Sequence, residues 1–205
     1  MSAADRHPNV ALYFATRDGQ SRRIADYMAR RLVEAGLVAT VQDSALAQIA
    51  SMDLAENLAA ASVVVLVAAV RYGRHLPEAE RFLAIYRSLD APPPLALASV
   101  NLTARKPLKT TVAGNAYLRK LIARYRLAPA VAAAFAGKLD YRRYRFVDRQ
   151  IIRLIMLLTR GPTDPNTCIE YTSWREVDEF GARIIELLRR AEAPSGVSAT
   201  VRSGY

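Results

Sequence analysis

Residues 9–35 read NVALYFATRDGQSRRIADYMARRLVEA. The first seven, NVALYFA, have the length and composition of a strand buried on both faces. They stop abruptly at Thr16-Arg17-Asp18-Gly19-Gln20, and a helical pattern runs from Ser21 to Ala35, where Gly36 ends it. In a parallel sheet built from such strand-to-helix joints, ligands sit outside the carboxyl ends of the strands. Thr16 and Ser21 supply hydroxyls at that place, Gly19 lets the backbone approach an anion, and the helix N-terminus presents N–H groups. The loop is too short for a P-loop and lacks its Gly-Lys-Ser/Thr ending; the three glycines of the dinucleotide fingerprint are missing too. These residues alone leave two readings open, a phosphate cradle and an ordinary turn.

The same rhythm continues outward. LVATVQD (37–43) alternates as a strand, SVVVLVAA (62–69) is apolar throughout as a central strand should be, and Pro77 to Leu89 reads as a helix with Phe82, Ile85, Tyr86 and Leu89 on one face. PPP (92–94) introduces the strand LALASVN (95–101). A basic helix is expected around Ala116 to Arg126, then a strand-like run AVAAAFAG (130–137), a helix-like stretch 146–160, and a last helix from Ser173 to about Ala191 with a Ser173/Glu176 capping box. Strands alternating with helices predict an α/β fold, a parallel sheet covered on both faces. One domain is expected over 9–191, with flexible termini at 1–8, which has no apolar signal-like stretch, and at 193–205.

One cysteine, Cys168, and two histidines, His7 and His75, exclude a disulfide framework and make a metal centre unlooked-for. The net charge of +10 is uneven: residues 101–160 hold 14 Lys/Arg against 2 Asp/Glu, and the rest of the chain holds 15 against 17. All of the surplus sits in one segment, which suits phosphates, anionic headgroups and carboxylate-bearing ligands. Charge alone also suggests nucleic acid, but no recognition motif accompanies it, and no nucleic-acid partner is expected.

Two further loops fall at strand ends: Val70-Arg71-Tyr72-Gly73 after the central strand, and Ser99-Val100-Asn101 opening SVNLTARKP. Tyr72 is placed to lie against a ring system, and Gly73 to turn the chain sharply beside it. TRDGQS, VRYG, SVNLTARKP, LDYRRYRFVDRQIIRLIM and the G-x-T-D of Gly161 to Asp164, in that order from about Val10 to Leu188, resemble the quinone-dependent protoporphyrinogen IX dehydrogenases. These are flavodoxin-like bacterial enzymes of haem biosynthesis. Ala15 and Ser21 stand where serine and threonine are common in the family, and Ser21 keeps the hydroxyl; Pro162 and the tail beyond Ala193 are further departures.

The resemblance implies a flavodoxin-like, doubly wound five-stranded parallel sheet of order 2-1-3-4-5, with an insertion interrupting the last strand near 103–128. It implies FMN, gripped at Thr16, Arg17, Asp18, Gly19, Gln20, Ser21, Val70, Arg71, Tyr72, Gly73, Ser99, Val100 and Asn101. Arg17 is not expected to be the main phosphate holder, since hydroxyls and N–H groups suffice. It further implies protoporphyrinogen IX as substrate, menaquinone or ubiquinone as acceptor, and a peripheral place on the cytoplasmic face of the bacterial inner membrane. Arg105, Lys106, Arg119, Lys120, Arg142, Arg143 and Arg145 are candidate partners for substrate propionates or anionic lipid. The stretch 146–160 is either a membrane-surface helix or a cover for the sheet. No catalytic base is assigned, an assembly of like subunits stays open, and a soluble NAD(P)H:quinone reductase or electron carrier is the competing reading.

Overall fold

The computed structural model describes residues 8–49, 51–143, 146–158 and 161–192. In chain order the elements are β1 (Asn9–Ala15), α1 (Gln20–Glu34), β2 (Val38–Asp43), α2 (Ser44–Ile49), α3 (Ser51–Ala59), β3 (Val63–Arg71) and β4 (Arg74–His75). They continue with α4 (Pro77–Arg87), β5 (Leu95–Val100), α5 (Ala116–Tyr125), β6 (Val131–Phe135), β7 (Lys138–Asp140), α6 (Phe146–Leu158), β8 (Cys168–Glu170) and α7 (Trp174–Glu192).

Five strands pair in parallel in the order β2-β1-β3-β5-β6, the expected 2-1-3-4-5 once the two-residue β4 is set aside. The period of two divides each strand between two cores. Val10, Leu12 and Phe14 of β1 join Val63, Val65 and Val67 of β3 on the face covered by α1 and α7, through Ile24, Met28, Leu32, Phe180 and Ile184. Ala11, Tyr13 and Ala15 join Val64, Leu66 and Ala68 on the other, against Leu58, Phe82, Leu83, Leu118 and Leu121 of α3, α4 and α5. Rings lock both layers: Tyr13 lies 4.7 Å from Phe82 on one side, and Phe135 meets Phe180 edge-on at 5.5 Å on the other. Strands this apolar on both faces can only be interior, whereas β2, half exposed, takes the edge.

Because β1 connects to β2 on one side and β3 lies on the other, strand order reverses at β1, and the crevice beyond the ends of β1 and β3 is the natural ligand site. Residues 103–128, expected as the insertion, carry the crossover from β5 to β6: a 3-10 turn at Leu102–Arg105 and then α5, which buries Leu118 and Leu121 on the sheet. A parallel pair cannot be joined without such a crossover. The segment that leaves the sheet's rhythm comes later, between β6 and α7, where β7 and β8 pair antiparallel and α6 lies between them. Leu139, Tyr141 and Met156 form its own small core. The termini at 1–7 and 193–205 lie outside the described residues.

Candidate functional site

The loop after β1 is built by its own side chains. The backbone N–H of Gly19 donates to Thr16 Oγ1 at 3.0 Å, closing the turn. Gly19 has φ 89°, and a Cβ there would meet nothing within 4 Å, so glycine is needed for its left-handed backbone and the space beside it is open. Gly19 is also the N-cap of α1, and no side chain caps that helix, nor does an acid sit in its first turn. The first N–H groups of a helix have no partner within it, and here nothing from a side chain answers them. Ser21 is buried at 1% exposure and its Oγ has no hydrogen-bond partner among the described residues. A buried hydroxyl beside uncapped helix N–H groups is the arrangement an anion completes.

Two charged side chains of this loop are already engaged. Arg17 reaches Glu78 at the start of α4, 3.7 Å away, and Asp18 accepts from Arg71 at 2.8 Å. Gln20 donates to Glu170 at 3.2 Å and to Thr172 at 2.9 Å, tying α1 to the far end of the later excursion.

The second loop is a tight hairpin. Arg71 pairs with Arg74, and the two residues between them, Tyr72 at φ 50° and Gly73 at φ 77°, both have positive φ, as a type I′ turn requires. Tyr72 thereby stands at the tip, 53% exposed, with the Arg71 guanidinium 5.3 Å from its ring centroid. The Arg71–Asp18 pair fastens this hairpin to the first loop.

The third loop rests on a buried polar chain. His75, on the second strand of the hairpin, has Nε2 2.9 Å from Ser99 Oγ; Asn101 Nδ2 donates to the same oxygen at 3.1 Å; and Asn115 Nδ2 donates to Asn101 Oδ1 at 3.1 Å. Asn115 also caps α5 by accepting from the Leu118 N–H. Burial lowers the His75 pKa to about 4, so the ring is neutral at neutral pH. The chain holds the hairpin, the end of β5 and the start of α5 in one frame.

These loops open onto one cleft. Thr16, Arg17, Asp18, Gln20 and Ser21 line it at one end, Val70, Arg71, Tyr72 and Gly73 along a side, and Val100 and Asn101 beneath. Of the predicted residues, Ser99 and Gly19 do not line it: Ser99 is fully buried behind, turned by the strand alternation toward His75, and Gly19 shapes the loop. Arg105, Lys106, Arg119, Lys120 and Arg142 do not line it either. Arg105 donates to the Leu102 carbonyl at 2.8 Å and Arg119 to that of Ala113 at 2.7 Å, while Lys106, Lys120 and Arg142 are exposed. The side chain of Arg143 and all of Arg145 lie outside the described residues.

Reading the sequence missed Lys138, Tyr117, Thr103 and the pair Ile152 and Ile155, all of which line the cleft. Lys138 follows the last parallel strand, so the same rule that found the other loops pointed to it. Ile152 and Ile155 belong to α6, which stands over the cleft and not over the sheet; no local pattern carries that placement. Among the described residues no cluster of His, Cys, Asp and Glu can hold a metal ion, and no helix is long and apolar enough to cross a membrane.

Comparison with known proteins agrees with this geometry. The flavodoxin domain family matches residues 11–166. The protoporphyrinogen IX dehydrogenase (quinone) of Escherichia coli K12 is 36% identical over 176 residues, 86% of this chain and 94% of its own. The protein of the same name from Leishmania major is 33% identical over 183 residues, covering 87% of this chain and 75% of its own. In fold, the oxidised flavodoxin 1 of Bacillus cereus superposes with a TM-score of 0.51 at 17% identity, over 87% of this chain and 97% of that one. The chain therefore belongs to the flavodoxin-domain family, among the protoporphyrinogen IX dehydrogenases (quinone), and is an oxidoreductase.

Proposed function

We propose that the cleft holds FMN and that the protein oxidises protoporphyrinogen IX to protoporphyrin IX, delivering the electrons to a membrane quinone. The observation that carries the cofactor is the buried, partnerless Ser21 hydroxyl beside the uncapped start of α1, lining the same cleft as a tyrosine presented at a hairpin tip. FMN supplies a two-electron acceptor that no side chain here provides. Thr16, Ser21 and the first N–H groups of α1 hold its phosphate, and Tyr72, Val100 and Asn101 bound the place of its ring.

The chain's own contribution is orientation and exclusion of water. Arg71 locks the phosphate loop to the ring-side hairpin through Asp18, so both ends of the cofactor site move as one piece. Ile152 and Ile155 close the side opposite the sheet with apolar surface. Lys138, just past the last parallel strand, lines the cleft with its ammonium 3.5 Å from Asp140, a pair that a substrate propionate would enter in competition with that carboxylate. His75 is neutral, buried and bonded to Ser99, which makes it a frame for the hairpin and leaves the substrate's protons to leave through water. The basic segment 101–160 suits an anionic membrane surface, in a bacterium the cytoplasmic face of the inner membrane.

The test is direct. Purified protein reconstituted with FMN, mixed without oxygen with protoporphyrinogen IX and a quinone, should produce fluorescent porphyrin. Protein that stays colourless with FMN, or whose flavin is reduced by NAD(P)H and not by the porphyrinogen, overturns the proposal.

A further inference from the structure

Helix α6 is built inside out. Around its axis Ile152 and Met156 face the domain, and Met156 is fully buried against Leu139 and Tyr141. On the opposite half, Phe146, Val147, Ile151, Leu154, Ile155 and Leu157 are all exposed, four of them by 58% or more. Those six are half of the twelve exposed large hydrophobics among the described residues, gathered on a helix of 13 residues. A helix that only covers a core shows the reverse arrangement, polar outward. At 100° per residue the six span about half of the circumference, with Arg149 and Arg153 on the flank between that arc and the buried face. Contiguous apolar surface of this kind marks an interaction site.

We infer that α6 lies flat in the headgroup layer of an anionic bilayer, so that the cleft edge made by Ile152 and Ile155 opens at the membrane surface. This rests on the quinone-linked reading above and deepens it by naming the element that docks. Three observations point to a lipid surface, and the second of them also disfavours a second copy of the chain. The helix is about 20 Å long, too short to cross a hydrocarbon core of about 30 Å, yet long enough to lie along its boundary. The surrounding segment 101–160 carries 14 basic against 2 acidic residues, which anionic headgroups attract and a second basic copy repels. The exposed row also runs into the cleft, since Ile155 belongs to both, giving an apolar acceptor a continuous path from the bilayer.

The experiment uses the full chain loaded with FMN and sedimented with vesicles of phosphatidylcholine alone or with about a third phosphatidylglycerol. The double variant Val147→Glu/Leu154→Glu leaves the cleft lining untouched; Leu46→Glu, an exposed leucine elsewhere, is the control, and Val147→Ser/Leu154→Ser removes apolar area without adding charge. Binding to the anionic vesicles should fall at least tenfold in both double variants and stay unchanged in the control. Porphyrinogen oxidation with a water-soluble short-chain quinone should persist, while turnover with a long-chain quinone held in vesicles should be lost. Wild-type protein that ignores anionic vesicles while active with the soluble quinone overturns this inference alone. So does a double variant that binds vesicles as wild type does, or one whose only change is from dimer to monomer. Vesicle binding that depends on α6 in a protein inactive with both quinones supports the docking surface and overturns the functional reading instead.

Discussion

Replacing Ser21 by alanine should move two properties in opposite directions. Ser21 is the second residue of α1, 1% exposed, with a hydroxyl that has no partner among the described residues. Leaving such a group buried costs about 1–3 kcal/mol, and alanine is also the better helix former by roughly half a kcal/mol. The flavin-free chain should therefore gain on the order of 1 kcal/mol, raising its midpoint by about 2–4 °C for a protein of this size. With FMN bound, the same hydroxyl should donate to a phosphate oxygen, a charge-assisted bond worth about 1.5–3 kcal/mol. Its loss should weaken FMN about 10- to 150-fold. Titration of the flavin-free protein with FMN, followed by fluorescence quenching, measures the affinity; thermal unfolding without flavin measures the stability. Riboflavin, which lacks the phosphate, is the internal control and should bind wild type and variant alike. An unchanged FMN affinity, or an equal loss for riboflavin and FMN, refutes the assignment of Ser21 to a phosphate.

Three further outcomes follow from the same geometry. Tyr72→Ala should weaken FMN and riboflavin equally, by about 2- to 12-fold for one lost aromatic contact, which separates it from Ser21; an effect on FMN only would remove Tyr72 from the ring site. Gly19→Ala meets no clash, so its cost is conformational, about 1–2 kcal/mol at φ 89°, and should lower the flavin-free midpoint by a few degrees; an unchanged midpoint would show that the loop does not need the left-handed backbone. Burial depresses the His75 pKa from 6.5 to about 4, so the unfolded chain binds the extra proton first and stability falls as pH drops from about 6.5 toward 4, by about 2 kcal/mol at pH 5 and 3 kcal/mol at pH 4. Urea unfolding of wild type and His75→Gln at pH 8, 6.5 and 5 should show that slope in the wild type beyond whatever the variant retains; equal slopes contradict it.

The sheet was legible because β1 and β3 are apolar over six or more residues and β5 over the four before Ser99, a pattern that two-sided burial produces. The order of strands followed from the resemblance, and the loops of the cleft followed from the rule that ligands sit at carboxyl ends. Helices α2 and α3 have no clear signal in the sequence: the stretch 44–59 is rich in alanine, and its large apolar residues Leu46, Ile49, Met52, Leu54 and Leu58 do not keep to one helix face. The β7–β8 pair was equally silent, since three residues per strand cannot display alternation and their pairing spans about thirty residues of chain. Alternation along β5 puts Ser99 on the face of Leu95 and Leu97, behind the cleft lining, and a motif taken as a loop carries no such parity. The later excursion and its helix were seen as residues without an address. Which side of α6 faces out depends on Leu139 and Tyr141, which meet Met156 only in the folded chain.

The most direct measurement of the central claim is the electron count. Protoporphyrinogen IX differs from protoporphyrin IX by six electrons, so the FMN-loaded protein, working without oxygen, should reduce about three quinones for every porphyrin formed, in line with two-electron steps at one flavin. Porphyrin fluorescence and quinone absorbance recorded together give the ratio. A ratio near three, lost when FMN is omitted, is the result expected. Quinone reduction without porphyrin, or porphyrin formed at the same rate without quinone or flavin, contradicts the account.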